Sequence, residues 1–287
     1  MMRTPAALLL PPLLVVTAGP LAAQAPDLEA PFRADVQAGD ASGWRIQLGA
    51  MALGLPRYPG SGESRVLPLP VFSAEYGGRL FLGSSRVAVG LGGGIHAVRT
   101  EHWTWDLGLG LGEGRKASRT DVLAGMGDRR ASLFAGTGLR FHAGGFHAEV
   151  KAAEGLRDEA GGRASLTMGY GAALGGRWFG DLSLGAEAAD AKGVAFDYGV
   201  TPDQAAARAA LIAAGDPRLR PGEDRVYAPG GGLERVALTG LLAFAADAHW
   251  RWFGLAQVAQ LQGDAKDSPL VRNPTYGTVG VGFTYRF

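Results

Sequence analysis

The stretch Gly277-Thr278-Val279-Gly280-Val281-Gly282-Phe283-Thr284-Tyr285-Arg286-Phe287 decides the fold. Side chains of an extended chain alternate with period two, so Val279, Val281, Phe283, Tyr285 and Phe287 share one face while small or polar residues take the other. An edge strand of a soluble sandwich has the same alternation. A strand with one greasy face that finishes on its own aromatic residue is also how transmembrane β-barrels of the bacterial outer membrane end. Phe283, Tyr285 and Phe287 are then the expected signal for the barrel-assembly machinery. The rest of the chain decides between the two.

The same alternation recurs upstream. Trp44, Ile46, Leu48, Ala50 and Ala52 oppose Arg45, Gln47 and Gly49; Trp103, Trp105, Leu107, Leu109 and Leu111 share one face. Leu133 to Phe141, Phe146 to Val150, Leu166 to Leu174, Trp178 to Ala186 and Val236 to Phe244 repeat it, each with polar or tiny residues between. Further strands are expected at 66–76, 79–83, 86–92 and 249–262. Pro68 and Pro70 weaken the first of these because Pro cannot donate to a ladder, which puts them near its loop end. Phe253 and Leu255 share a parity with Arg251 and Gln257, so the facing of that strand stays open.

The count is about twelve strands, an even number, as a bacterial barrel with both termini in the periplasm requires. Short turns at Gly77-Gly78, 98–101, 142–145, Gly175-Gly176 and Asp247-Ala248 then fall at one end. The longer connections near 55–65, 113–129, 155–162, 191–232 and 263–274 all fall at the other. A sandwich does not demand that segregation. In hydrocarbon each unpaired backbone group costs several kcal/mol, so the sheet must close, with Trp44–Leu53 beside Gly277–Phe287. Residues 191–232 read as one long loop cut by Pro217, Pro221 and Pro229, with Gln204 to Ala214 able to form a short helix.

The expected architecture is therefore all-β: a transmembrane antiparallel up-and-down barrel over 43–287, behind a signal peptide at 1–25 and a periplasmic segment at 26–42. The signal is read from Met1-Met2-Arg3, the apolar run Ala6 to Val16 and the small residues Leu21 to Ala25. No later segment is long and apolar enough for a spanning helix. Among 287 residues there is no cysteine, so thiol nucleophiles, thiolate metal sites and disulfides are excluded. A net charge of +1 with scattered basic residues gives no case for nucleic acid. The 46 glycines lack a collagen period and suit close strand approach. Arg45, Arg79, Arg140, Glu149, Lys151, Arg177, Asp181, Glu187 and Arg235 are expected to line the lumen as paired charges.

Several strings carry more than architecture. Leu123-Ala124-Gly125-Met126-Gly127-Asp128, then Tyr198-Gly199-Val200-Thr201-Pro202-Asp203-Gln204-Ala205, then Leu261-Gln262-Gly263-Asp264-Ala265-Lys266-Asp267-Ser268-Pro269-Leu270-Val271 occur in this order. With Pro56-Arg57-Tyr58-Pro59-Gly60-Ser61 and the closing Tyr285-Arg286-Phe287, they resemble the MltA-interacting protein (MipA/OmpV) family over essentially the whole mature chain. Arg208 to Arg225 departs from the pattern by its length and charge. The resemblance implies an outer-membrane barrel without enzymatic activity and without a cofactor, a scaffold that joins a murein transglycosylase to a peptidoglycan synthase. It also implies surface antigens or adhesins among the members. It gives Gly125, Gly127, Asp128, Tyr198, Gly199, Val200, Thr201, Gly263, Asp264, Asp267, Ser268 and Pro269 no stated role.

The candidate chemistry is thin. His96, His102, His142, His147 and His249 read as turn and rim histidines, since none forms a helical metal pair. Ser132 and Ser183 lie on strands and face the lumen, with no histidine that the sequence places beside them. Asp128, Asp264 and Asp267 have the donor type for a divalent cation but read better as turn-shaping residues before Pro269. Two function classes follow: a binding scaffold, or a small-solute channel with charged rings in its lumen.

Overall fold

The computed structural model describes residues 43–84, 90–112, 114–157 and 159–287. The expected signal peptide and the 26–42 segment lie outside them. The strands are β1 (Trp44–Pro56), β2 (Ser64–Tyr76), β3 (Leu80–Ser84), β4 (Leu91–Arg99), β5 (Trp103–Gly112) and β6 (Ser132–Ala143). The second half has β7 (Phe146–Gly155), β8 (Gly162–Gly175), β9 (Trp178–Ala189), β10 (Gly232–Ala245), β11 (Trp250–Leu261) and β12 (Thr275–Arg286). Each pairs antiparallel with its sequence neighbours, and β12 returns to β1 with Gln47 opposite Arg286 and Gly54 opposite Val279. The twelve strands form the closed barrel that the terminal alternation predicts, and no ladder edge is left at its ends. No helix among the described residues is long and apolar enough to cross a membrane.

The outward face is apolar along nearly every strand. Val279, Val281, Leu182, Leu184, Val258 and Leu109 are exposed, as a lipid-facing wall requires. An aromatic belt rings the barrel at the end that carries the short turns. Trp44 packs at a tilt against Tyr76, Trp103 against Phe141, Trp178 against Phe244 and Trp250 against Phe283, and Trp250 meets Tyr285 edge-on. Phe287 adds its ring 4.9 Å from Tyr285. Such girdles sit where hydrocarbon meets headgroups.

Four expectations change. The fourth strand runs over 91–99 rather than 86–92; the glycine-rich run 90–94 shows no alternation to read, and the strand is set by its pairing with β5, from Leu91 opposite Leu111. Residues 85–89 lie outside the described residues. Pro68 and Pro70 stand well inside β2, paired opposite Ala52 and Ala50. Residues 191–232 are not one loop but carry two helices, α1 (Ala191–Tyr198) and α2 (Pro202–Ala213). Thr201 caps α2 with a reciprocal Thr201–Gln204 capping box and Pro202 in the first turn, so Thr-Pro-Asp-Gln is a helix start. Arg79 and Arg177 belong to turns: Arg79 is exposed, and Arg177 donates to the Ala246 carbonyl across the next turn.

The open facing of β11 is now fixed. Phe253 and Leu255 point inward with Gln257, joining Met51, Leu53 and Leu55 of β1 and Leu241 and Ala243 of β10 in one buried cluster. Between them, β12 presents Gly280 and Gly282. A Cβ on Gly282 would stand 2.7 Å from both Met51 Cβ and Phe253 Cζ, so the glycines are what lets the side chains of β1 and β11 meet inside. Half of the lumen wall is therefore apolar and filled, which composition alone did not suggest.

Candidate functional site

The long connections converge over the end of the barrel opposite the turns. Tyr58, Val122, Leu123, Met126, Val194, Tyr198, Val200, Ala205, Ala265 and Leu270 pack with Ala189 and Leu261 of the strand ends into a single buried cluster. These residues come from the β1–β2, β5–β6, β9–β10 and β11–β12 connections, so the cluster ties four connections together over the mouth. Burying large aliphatic side chains is worth ~1.5–3 kcal/mol each. The result is a packed cap rather than a set of waving loops.

Helix α1 is the centre of the cap. Asp190 caps its start, accepting from the Gly193 N–H at 2.6 Å and from the Gly162 N–H at 3.0 Å. At the other end, the Asp197 carbonyl accepts from the Tyr58 hydroxyl and from Arg115 Nη1 at 3.0 Å. Arg129 Nη1 reaches the Ala195 carbonyl at 3.2 Å, with its guanidinium 5.0 Å over the Phe196 ring. Cations at the carboxy end of a helix suit its dipole. Burial, resisted by Arg115, pushes the Tyr58 hydroxyl well above its usual range, so it remains a neutral donor. Arg163, from the inner wall of β8, fastens the helix to the barrel with bonds to Asp197 Oδ2 at 2.5 Å and to the Gly193 carbonyl at 3.2 Å.

Helix α2 contributes Arg208, whose side chain is fully buried. Its Nε donates to the Glu223 carbonyl at 2.6 Å, and its Nη1 to the carbonyls of Val122 and Ala124 at 2.7 and 2.9 Å. Glu223 in turn binds Arg272 at 2.7 Å. Burial alone would raise the Glu223 carboxyl, but the hydrogen bonds from Arg272 and from the Arg220 N–H hold it below the usual carboxylate range. The segment that departs from the family pattern thus supplies the rivets between three connections.

The motif residues marked in the sequence come together here. Gly125, at φ +77°, leaves room for Arg208: a Cβ would stand 2.9 Å from Arg208 Cγ. Gly127 turns at φ +69°, and Asp128 accepts from the Ala117 N–H at 2.8 Å. The Tyr198 carbonyl accepts from Ser268 Oγ at 2.6 Å, its ring lies 6.1 Å from Tyr58, and Gly199 closes α1. Val200 exchanges backbone hydrogen bonds with Tyr227 at 2.9 Å, and Thr201 starts α2. Gly263, at φ +48°, opens the short helix α3 (Gly263–Lys266). Asp264 accepts from the Gly230 N–H at 2.6 Å, the Asp267 carbonyl accepts from Arg225, and Pro269 is buried beside Ser268. Asp128, Asp264 and Asp267 thus act as turn and backbone acceptors, and among the described residues no group of three or more His, Asp or Glu could hold a metal ion.

Below the cap, the other half of the lumen is ionic. Glu75 takes Arg45 at 2.5 Å and Arg99 at 2.7 Å; His96 lies 3.8 Å from Glu75 and 2.5 Å from Asp106. Asp106 also takes Arg140, which lies 3.4 Å from Glu149, and Glu149 takes Lys151 at 3.1 Å. One chain of charges therefore runs around the inside from β1 to β7 near the turn end. Glu187 pairs with Arg235, and a β-bulge between Leu233 and Arg235 lets Glu234 turn inward beside it. Glu75, His96, Arg99, Asp106 and Glu234 were not foreseen as lining residues.

Two histidines depart from the turn reading. His96 is buried in the charge chain, and His147 lies on the inner wall 2.8 Å from Asp181. His102, His142 and His249 do sit at turns: His102 Nδ1 lies 3.1 Å from the His142 carbonyl, and His249 stacks on Tyr285 at 5.4 Å. Ser183 approaches His147 across Gly169, where a Cβ would be 2.6 Å from His147 Nε2 and 2.7 Å from Ser183 Cβ. His147 spends Nε2 on Asp181, and no hydrogen bond joins it to Ser183 among the described residues. The nucleophile–base contact of acyl transfer is therefore not formed.

A closed strand wall with an apolar exterior, an aromatic belt and a filled mouth defines a capped β-barrel of the bacterial outer membrane. Residues 48–287 match the family described as MltA-interacting protein MipA, and the chain belongs to that family. No curated protein matches it. Among solved structures, it is similar to an outer-membrane channel from Pseudomonas putida F1, at 11% identity over 86% of this chain and 96% of that one, with a TM-score of 0.41. An anion-selective porin from Comamonas acidovorans is similar at 9% identity over 85% and 98%, with a TM-score of 0.39.

Proposed function

We propose that this barrel is a non-enzymatic scaffold of the outer membrane that holds peptidoglycan-remodelling enzymes, a murein transglycosylase and a peptidoglycan synthase, at its periplasmic end. The family description names an interaction with MltA, and that partner class works on the periplasmic side, where the short turns of such barrels lie. The observation that carries the reading is the cap. Tyr58, Leu123, Tyr198 and Leu270 fill the outer mouth with a buried cluster, and the lumen beneath is divided between packed Phe and Leu side chains and a chain of ion pairs that runs from β1 to β7. A water-filled path for solutes has little room in such an interior, which counts against the channel reading. A rigid, filled cylinder instead offers fixed turns as a platform.

The test is direct binding. Purified barrel in lipid nanodiscs, its β-fold checked by circular dichroism, is titrated with a lytic murein transglycosylase, and saturable binding is expected. Absence of binding by folded barrel, with the enzyme active and at concentrations well above its cellular level, would sink the proposal.

A further inference from the structure

The cap carries a pocket that the packing of the mouth does not use. Residues 220–223 and 225 of the β9–β10 connection and residues 266–269, 271 and 272 of the β11–β12 connection enclose a space of about 420 Å³. Strands β10 and β11 are paired, so the two connections rise side by side from the wall and the pocket stands at the rim of the mouth. Its lining is held in place. Ser268 and Pro269 are buried, and Ser268 Oγ donates to the Tyr198 carbonyl at 2.6 Å. Arg272 Nη2 donates to the Arg218 carbonyl at 2.6 Å. Arg225 bridges the two connections by donating to the Asp267 carbonyl, with its guanidinium 5.4 Å over the Tyr227 ring.

Charge is unevenly spent within this pocket. Arg220, Arg225, Lys266 and Arg272 line it against the carboxylates of Glu223 and Asp267. Glu223 is taken: Arg272 reaches each of its oxygens at 2.7 Å, and Arg208 lies 3.7 Å away. Asp121 and Glu63 also act on Arg272, the cation that Glu223 already balances. Arg225 is bonded to a carbonyl, which leaves its charge uncancelled. Arg220 and Lys266 are exposed, and among the described residues their side chains have neither a hydrogen bond nor an ion pair. Three cations therefore stand against one free carboxylate, that of Asp267.

A concave, polar and cationic space of this size falls in the range of small-molecule sites and suits a hydrophilic anion bulkier than a bare ion. Guanidinium forks match the oxygens of a phosphate, and an ammonium adds a compact charge beside them. The two walls have different origins in the sequence. Lys266 to Pro269 belongs to the string that the chain shares with its family, whereas Arg220 and Arg225 belong to the segment that departs from it. The excess charge is thus this chain's own addition to a family element.

We propose that this pocket binds a phosphate monoester carried on a sugar, with Arg220, Arg225 and Lys266 contacting the phosphate. Such a group reaches the outer rim either on a glycolipid of the outer leaflet or as a soluble solute. The barrel in phosphatidylcholine nanodiscs, its β-fold checked by circular dichroism, is titrated calorimetrically with glucose-6-phosphate and, separately, with glucose. Saturable binding is expected for the phosphorylated sugar alone, weakening as salt is raised. Replacing the two exposed cations together, Arg220→Gln with Lys266→Gln, should weaken it about tenfold. Equal behaviour of the two sugars, or unchanged affinity in the double variant, overturns the proposal; Lys266→Gln alone reads the same pocket if the double variant does not assemble. Nanodiscs that also contain lipid A, with its phosphates or stripped of them, separate the two sources. Loss of glucose-6-phosphate binding with the phosphorylated form alone marks the lipid as the occupant, and unaltered binding marks a soluble ester.

Discussion

The guanidinium of Arg208 donates to the Val122 carbonyl at 2.7 Å, joining residues 86 positions apart across the mouth of the barrel. Two further carbonyls, of Ala124 and Glu223, share the same side chain. Arg208→Ala strands all three acceptors, and hydrogen bonds to a charged donor contribute ~1.5–3 kcal/mol each. The cap is expected to loosen while the barrel persists. Limited proteolysis should then cut near 214–222 in the variant and spare the parent, and Arg208→Lys should rescue only partly because an ammonium lacks the fork.

Glycines of β12 give a position-specific expectation. Gly282→Val drives a side chain into Phe253 Cζ and Met51 Cβ, each 2.7 Å from its Cβ position. Overpacking of this kind costs ~1–3 kcal/mol. Gly277→Ala, whose nearest neighbour is the Gln257 carbonyl at 3.7 Å, should be tolerated. The comparison is read from the heat-modification midpoint of each variant in detergent.

The lumen charges behave as a chain rather than as separate pairs. Asp106 is fully buried between His96 and Arg140. Asp106→Ala removes the buried carboxylate that His96 and Arg140 share and is expected to cost ~3–5 kcal/mol, as loss of one partner of a buried pair does. Asp106→Asn with Arg140→Met should recover part of that loss. Guanidinium unfolding in detergent, followed by circular dichroism, measures the difference.

Acid should release the cap before it unfolds the wall. The Glu223 carboxyl sits below the usual carboxylate range, so its unfolded form binds a proton more readily than its folded form. Its stabilising contribution is complete above the ordinary glutamate value of ~4.3 and fades as pH falls through the lower folded value. Protease sensitivity of the cap is expected to rise below about pH 4. Glu223→Gln should be sensitive at neutral pH already and should show no such acid step.

The sequence made the wall legible and hid the interior. Trp44 to Ala52, Trp103 to Leu111 and Val279 to Phe287 announced themselves because lipid demands an uninterrupted apolar face, and that demand leaves a period-two record. The lumen imposes no uniform demand. Phe253 and Leu255 point inward beside Gln257, so parity there carried conflicting signals. Glu234 turns inward only through a bulge that no local pattern marks. His96 looked like a turn residue because its strand was placed five residues too early. The cap was visible as motif strings without a shape: Thr201-Pro202-Asp203-Gln204 held a full helix-start signature, whereas the meeting of Tyr58 with Asp197 depends on contacts 139 residues apart.

A closed mouth makes the barrel a platform rather than a pore. Planar-bilayer recording of the protein, with its insertion verified, distinguishes the two. A silent membrane is expected at neutral pH, with current appearing only when the cap is weakened, as in Arg208→Ala. Stable, discrete conductance steps from the parent protein would show an open pore and overturn the platform reading.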